Sequence, residues 1–227
     1  MSIDKLFDGI AGRYDLFNRV SSLGLDKSWR RKLSASLKSQ RHLKILDVAV
    51  GTGDILLSLY SGGCDISFAA GIDPSENMLA IAERKLKSRS VEFKQATAEQ
   101  IPYPENYFDA ATCAFGVRNF ADADKGLQEM FRVLKPGGQI LILEFSRPAN
   151  PFVRFIYSIY LNYYIPLLGK ILTGQYAAYK YLSRTIQSFP SGNDFCMIIQ
   201  KAGFADVKHE PLSFGIVGLY TAKKQAN

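Results

Sequence analysis

Ile45-Leu46-Asp47-Val48-Ala49-Val50-Gly51-Thr52-Gly53-Asp54 is an apolar run broken by one acid, followed by a small-residue turn carrying two glycines. The turn opens a stretch, Asp54–Tyr60, with helical spacing of its apolar residues. Strand, Gly-rich turn and helix in that order bring backbone close to a nucleotide-like ligand at the carboxyl end of a strand in open α/β sheets. A second acid, Asp73, ends the next apolar run, Ile66–Ile72. The pair predicts an adenosine-containing ligand. Glycines let a small cationic moiety approach the backbone, and Asp73 can accept from both ribose hydroxyls at about 1.5–3 kcal/mol per charge-assisted bond. The turn lacks the third spaced glycine of GxGxxG, and no Gly-Lys-Ser/Thr follows, so a dinucleotide pyrophosphate or a nucleoside triphosphate loses support.

Outward from this turn the pattern alternates. Lys44–Val48, Ile66–Asp73, Val91–Gln95, Phe108–Ala114 and Gln139–Phe145 read as strands, and Asp54–Tyr60, Glu76–Ser88 and Asp124–Leu134 as helices, the last stopped by Pro136-Gly137-Gly138. Such alternation predicts a parallel sheet covered on both faces. Before it, residues 4–41 read as two helical pieces, the first with Leu6, Phe7, Ile10, Tyr14 and Phe17, the second with Asp26 as N-cap and Trp29, Leu33 and Leu37 on one face. After it, residues 149–190 form an aromatic helical insertion, and the chain closes with helix 192–202 and strands Asp206–Glu210 and Phe214–Ala222.

The 227 residues suit one domain with a sizeable core, here with a helical cap over 1–42 and a helical lid over 149–190. The net charge of +7 is spread over Arg30-Arg31-Lys32, Arg84-Lys85, Lys87 and Lys223-Lys224, which read as solvated helix faces rather than a nucleic-acid arm. Three cysteines (Cys64, Cys113, Cys196) lie far apart without metal-ligand spacing, so neither a metal nor a disulfide framework is expected, and a reducing cytosol fits. The N-terminal residues lack a signal-peptide pattern. The apolar stretch Phe152–Leu168 holds four tyrosines, Asn162 and Pro166, too polar for a spanning helix and suited to a membrane surface.

Further blocks carry a family resemblance. Asp47-x-Ala49-x-Gly51-Thr52-Gly53 with Asp73 resembles the class I S-adenosylmethionine-dependent methyltransferases. Asp15-Leu16-Phe17-Asn18, Ser22-Leu23-Gly24-Leu25-Asp26-Lys27-x-Trp29-Arg30-Arg31 and Phe115-Gly116-Val117-Arg118-Asn119 resemble one branch, the menaquinone/ubiquinone biosynthesis C-methyltransferases (the UbiE family). Leu134-Lys135-Pro136-Gly137-Gly138, Leu143-Glu144-Phe145-Ser146 and Tyr181-Leu182-x-x-Thr185-Ile186-x-x-Phe189-Pro190 complete the match, which runs from about residue 7 to 222. The resemblance implies a doubly wound, mostly parallel, seven-stranded Rossmann-like α/β sheet. It also implies C-methylation of a polyprenylated quinol ring, with S-adenosylhomocysteine as the second product. The donor would be held by Asp47, Gly51, Thr52, Gly53, Asp73, Thr97 and Ala98. Two positions depart from the family pattern: Thr97 stands where Asn or Asp is common, and Ala114 has lost a hydroxyl. Weaker donor binding, by about 0.5–1.5 kcal/mol per lost bond, is the expected cost.

Methyl transfer to an aromatic carbon asks mainly for positioning. A phenol titrating near 10 is about one-thousandth ionised at pH 7, a barrier of roughly 4 kcal/mol. Arg118, just beyond the fourth strand, would stabilise the phenolate as a fixed cation, with Asn119 orienting water or the ring oxygen; an arginine is no base at working pH. Phe115, Tyr179, Tyr181 and Arg184 are the substrate-side candidates. Glu144 reads as a structural hydrogen bond or ion pair, Asp54 as a helix-dipole acid, the cysteines as core, and His209 as an edge-strand surface residue. Seven of the twelve tyrosines lie between Tyr157 and Tyr181, consistent with a lid packed on the core, a prenyl-accepting membrane surface, or both; Arg154, Lys170, Lys180 and Arg184 would suit anionic lipid. The expected location is cytoplasmic, peripheral at the inner face of the membrane. Another phenolic or lipid acceptor, or a non-catalytic cofactor-binding scaffold, is the alternative.

Overall fold

The computed structural model describes residues 11–226. Seven strands form one sheet in the order β3-β2-β1-β4-β5-β7-β6. They are β1 Leu43–Val48, β2 Ile66–Asp73, β3 Val91–Gln95, β4 Phe108–Ala114, β5 Leu134–Phe145, β6 Ala205–Leu212 and β7 Val217–Lys223. β1 to β5 run parallel, and β7 pairs antiparallel with both β5 and β6.

Alternation along each central strand feeds two cores. On one face Leu46, Val48, Ile140 and Ile142 pack with α5 (Ala123–Val133) and α9 (Asn193–Lys201) through Leu127, Met130, Phe195 and Ile199. On the other, Ile45, Leu141 and Leu143 meet α2 (Leu25–Ala35) and α3 (Asp54–Ser61) through Trp29, Leu33, Ile55, Leu56 and Leu59. A strand buried on both faces has no polar side, which is why these strands read as continuous apolar runs.

A third core stands off the sheet. α1 (Ala11–Ser21) contributes Phe17. α6 (Pro151–Ile159), a π-helical turn over Tyr160–Tyr164, α7 (Ile165–Thr173) and α8 (Tyr176–Ser188) add Tyr157, Leu161, Ile165, Tyr179 and Ile186. α7 and α8 approach so closely that a Cβ on Gly169 would collide with the Tyr179 ring. Between β2 and β3, α4 (Glu76–Lys85) is capped by Ser75, whose side chain accepts from the Met78 amide.

Several boundaries differ from the sequence reading. Leu6, Phe7 and Ile10 lie outside the described residues. Asp26 is not the N-cap of α2: Gly24, at φ +79°, takes that place, and Asp26 sits inside the first turn with its carboxylate paired to arginines. β5 begins at Leu134, five residues before Gln139, because the Pro136-Gly137-Gly138 turn is itself paired at the sheet end. There the Gly137 amide donates to the Lys224 carbonyl and the Lys224 amide to that of Gly138, both at 2.8 Å. The last strand starts at Val217, since Ser213–Gly215 is a short helical turn with Phe214 at φ +59°. His209 is not a bare surface residue; its ring stacks on Tyr220 with centroids 4.6 Å apart.

Candidate active site

The strand order reverses between β1 and β4, and open α/β sheets leave their ligand crevice at such a point, beyond the carboxyl ends of the strands. Asp47 pairs in register with Gly71 of β2 and Thr112 of β4, so the acid of the decisive stretch sits at that edge. Backbone at the same edge is held in left-handed conformations, with φ of +54° at Ala49, +54° at Gly51 and +57° at Phe115. For Ala and Phe this conformation is costly and concentrates at working sites.

A cavity of about 350 Å³ opens there, lined by Asp47, Gly51, Thr52, Asp73, Thr97, Ala98 and Ala114, among others. Asp73 is fixed at its floor: one carboxylate oxygen accepts from the Gly51 amide at 2.8 Å and the other from the Ser75 amide at 2.9 Å. Thr112 donates to Asp47 at 2.6 Å. Burial pushes the Asp47 carboxyl up to about 7; the Thr112 bond opposes that rise and the nearby Asp73 charge adds to it. A Cβ on Gly51 would meet nothing within 4 Å, so the turn borders open space.

Two donor-side expectations shift. Gly53 is not among the lining residues; at φ +81° its missing side chain makes room for Leu86 and Ala82 of the neighbouring helix region, which lie 3.0 and 3.2 Å from where a Cβ would stand. The Thr52 hydroxyl donates to Asp15 at 2.7 Å and accepts from Lys85 at 3.0 Å, so protein groups already engage it. Lys85 also pairs with Asp15 and, at 2.8 Å, with Asp54. This network ties α1 and α4 to the Gly-rich turn. Arg30 joins it through Asp54 at 3.2 Å and Asp26 at 2.5 Å. Arg30 is buried and Lys85 partly so, which corrects their reading as solvated helix faces.

A second cavity, about 360 Å³, adjoins the first and is overwhelmingly apolar in its lining. Phe17, Trp29, Phe145, Leu161, Tyr179 and Tyr181 contribute, with Arg118 and Asn119 as its polar groups near β4. Tyr14, Arg30, Phe115 and Asn119 border both cavities and form the wall between them. Arg184 is exposed and lines neither cavity. Arg154 is occupied by the Pro148 and Ala149 carbonyls, at 2.9 and 3.0 Å.

The Arg118 guanidinium is only 2% exposed and pairs at 2.7 Å with Glu144, which is fully buried at 0%. The same nitrogen donates to the Phe115 carbonyl, and Glu144 accepts from the Phe145 and Arg118 amides at 2.8 and 3.3 Å. The ion pair read for Glu144 is therefore the one that positions Arg118. With its charge balanced by Glu144, the Arg118 guanidinium has the makings of an aimed hydrogen-bond donor more than of a bare cation. Tyr14, Arg30 and Tyr157 border these cavities, and Asp15 and Lys85 engage Thr52, places the sequence did not assign to them.

Residues 1–224 match the ubiE/COQ5 methyltransferase family. The chain belongs to that family. Among its relatives, a demethylmenaquinone methyltransferase of Bacteroides fragilis is 42% identical over 226 residues, covering 98% of this chain and 92% of the relative. A ubiquinone/menaquinone biosynthesis C-methyltransferase of Geotalea daltonii is 39% identical, covering 98% and 96%. The fold is shared with an S-adenosylmethionine-dependent methyltransferase of Thermotoga maritima, at a TM-score of 0.69 and 20% identity over 98% of this chain and 99% of that one. As a ubiE/COQ5 family member the chain uses S-adenosylmethionine, and the first cavity has the acid and glycine turn to hold it. Among the described residues no group of three or more His, Cys, Asp or Glu side chains gathers as for a metal ion, and no helix is long and apolar enough to cross a membrane.

Proposed function

We propose that this family member methylates a ring carbon of a polyprenylated quinol, converting demethylmenaquinol to menaquinol or carrying out the corresponding benzoquinol step. The observation that carries this reading is the shared wall. A cavity bordered by Asp73 and the Gly-rich turn stands against a more apolar cavity of similar size, with Phe115 and Asn119 between them. When bound, S-adenosylmethionine supplies an electrophilic methyl on a sulfonium. Asp73, Thr97 and the Gly51 turn hold its adenosine end, and Asp47 balances its charge.

On the other side, Phe17, Phe145, Leu161 and Tyr179 take the ring and prenyl chain, excluding water. The phenol proton leaves to water, and Arg118 and Asn119 hold the ring oxygen. The neighbouring ring carbon forms its bond to the methyl as the carbon–sulfur bond breaks, sulfur keeping the pair. The ring C–H proton then leaves to water and the oxygen regains a proton, so one proton is released per turnover with S-adenosylhomocysteine. Positioning of this kind is worth several kcal/mol without a dedicated base.

The mouth of the apolar cavity supports work at the inner face of a membrane. Leu23, Leu25, Phe152 and Ile156 line it and are also exposed, Leu23 to 85%. Phe214, beside the lining residue Ser213, is 86% exposed, and Lys170, Lys180 and Arg184 are exposed on α7 and α8, where they can meet anionic headgroups.

The test is transfer from labelled S-adenosylmethionine to demethylmenaquinol and to a demethylated polyprenyl benzoquinol in vesicles. Wild type is compared with Asn119→Ala and with the pair Arg118→Gln/Glu144→Gln, which leaves no lone buried charge. Labelled product from wild type and a loss of about tenfold or more in both variants supports the reading. Intact donor binding with no transfer to either quinol ends it.

A further inference from the structure

Tyr157, on α6, is 7% exposed, and its hydroxyl is buried without a hydrogen-bond partner. Its ring lies flat over Tyr160, centroids 6.0 Å apart at 17°, and Tyr160 stacks in turn on Tyr164 at 5.2 Å. The stack crosses the π-helical turn, a distortion that recurs at functional sites. Tyr160 is anchored, its hydroxyl donating to the Ser21 carbonyl at 2.6 Å. Tyr157 has no such anchor.

Two more orphans border the same cavity: the Tyr179 hydroxyl, which lies near Thr173 of α7, and a guanidinium nitrogen beside β4. Arg118 Nε is buried and unpartnered, while the Nη1 of that guanidinium holds Glu144 and the Phe115 carbonyl. Leaving a buried donor unsatisfied costs about 1–3 kcal/mol, so such donors in one apolar chamber need an explanation in what the chamber holds. Tyr157 and Arg118 both line the apolar cavity, and Tyr157 is close enough to Arg118 and Glu144 to feel both charges. A ligand that met only hydrocarbon would leave both donors bare. An oxygen acceptor on an otherwise apolar ring would satisfy both.

We propose that Tyr157 O–H and Arg118 Nε–H together form the binding site for the ring oxygen next to the methyl-accepting carbon. The inference rests on the quinol reading for the reaction but not for the ligand class, which is any planar apolar ring bearing a hydroxyl. Burial holds the Tyr157 phenol well above its ordinary range, so it donates and does not act as base. It stabilises phenolate as the ring loses its proton, and it turns the oxygen so that the adjacent carbon faces the wall at Phe115. A phenylalanine there would keep the stack and the packing and lose only the donor.

The test is Tyr157→Phe, read in two ways. Binding of 1-naphthol and of 1-methylnaphthalene, equal in shape, is measured on wild type and variant. The proposal expects wild type to prefer the naphthol by about tenfold and the variant, which keeps only the Arg118 Nε–H donor, to have lost most of that preference. In methyl transfer it expects kcat to fall about a hundredfold, with S-adenosylhomocysteine affinity unchanged and a thermal midpoint equal or higher. A naphthol preference undiminished in Tyr157→Phe overturns the proposal, as does kcat within twofold of wild type on a quinol that wild type methylates. A wild type that prefers naphthol through Tyr157 yet methylates no quinol leaves this site standing and removes the quinol reading alone.

Discussion

Asp47 carries an acid–base consequence for both folding and donor binding. Its carboxyl is pushed up to about 7 chiefly by burial, so in the empty protein the fold prefers it protonated. Its contribution to stability is fully present below the ordinary carboxylate range and is lost as pH rises through about 7. A cationic donor reverses the preference, since it favours the carboxylate. Affinity for S-adenosylmethionine should fall by up to about tenfold per pH unit below 7. Titration calorimetry at pH 6, 7 and 8 checks this, and Asp47→Asn should flatten the profile while weakening binding at pH 8. The Arg118–Glu144 pair sets a second expectation. Arg118→Ala alone strands a fully buried carboxylate and should cost about 3–5 kcal/mol in urea unfolding. Adding Glu144→Gln should return most of that stability without returning activity.

Among the elements, α7 and α8 are the most tightly fitted. Gly169 faces the Tyr179 ring, and Tyr179 lies against Phe17 of α1 with centroids 3.9 Å apart. Gly169→Ala should force that stack apart, costing about 1–3 kcal/mol by denaturant midpoint and loosening α1 by hydrogen exchange. The helices were legible because each has one period and one buried face, and the central strands because burial on both faces makes them continuous apolar runs. Periodicity did not show where β5 begins, because Pro136-Gly137-Gly138 carries turn chemistry while its backbone pairs at the end of β7. Asp26 has the composition of an N-cap, yet a left-handed Gly24 set the helix start two residues earlier. The glycine turn and the two acids of the donor site were legible because short-range backbone needs dictate them. Tyr14, Lys85 and Tyr157 were not. Each reaches the site across the fold, and nothing local distinguishes an arginine on a wet face from Arg30, closed in between Asp26 and Asp54.

At the scale of the whole molecule, one chamber borders the Gly-rich turn and the other opens through an exposed apolar collar. Phe155 and Phe214 lie on that side and line neither chamber. The double variant Phe155→Asp/Phe214→Asp should lower binding to anionic vesicles by at least about tenfold, by co-sedimentation, while a short-tailed soluble quinol is methylated as before. A substrate that arrives through the collar is counted per unit of bilayer area rather than per litre. Adding empty lipid at constant total quinol should therefore slow the reaction even though no molecule has been removed from the tube, and the rate should follow the quinol-to-phospholipid ratio. The width of one hydrophobic mouth would then make the enzyme a reader of how crowded with precursor its membrane has become.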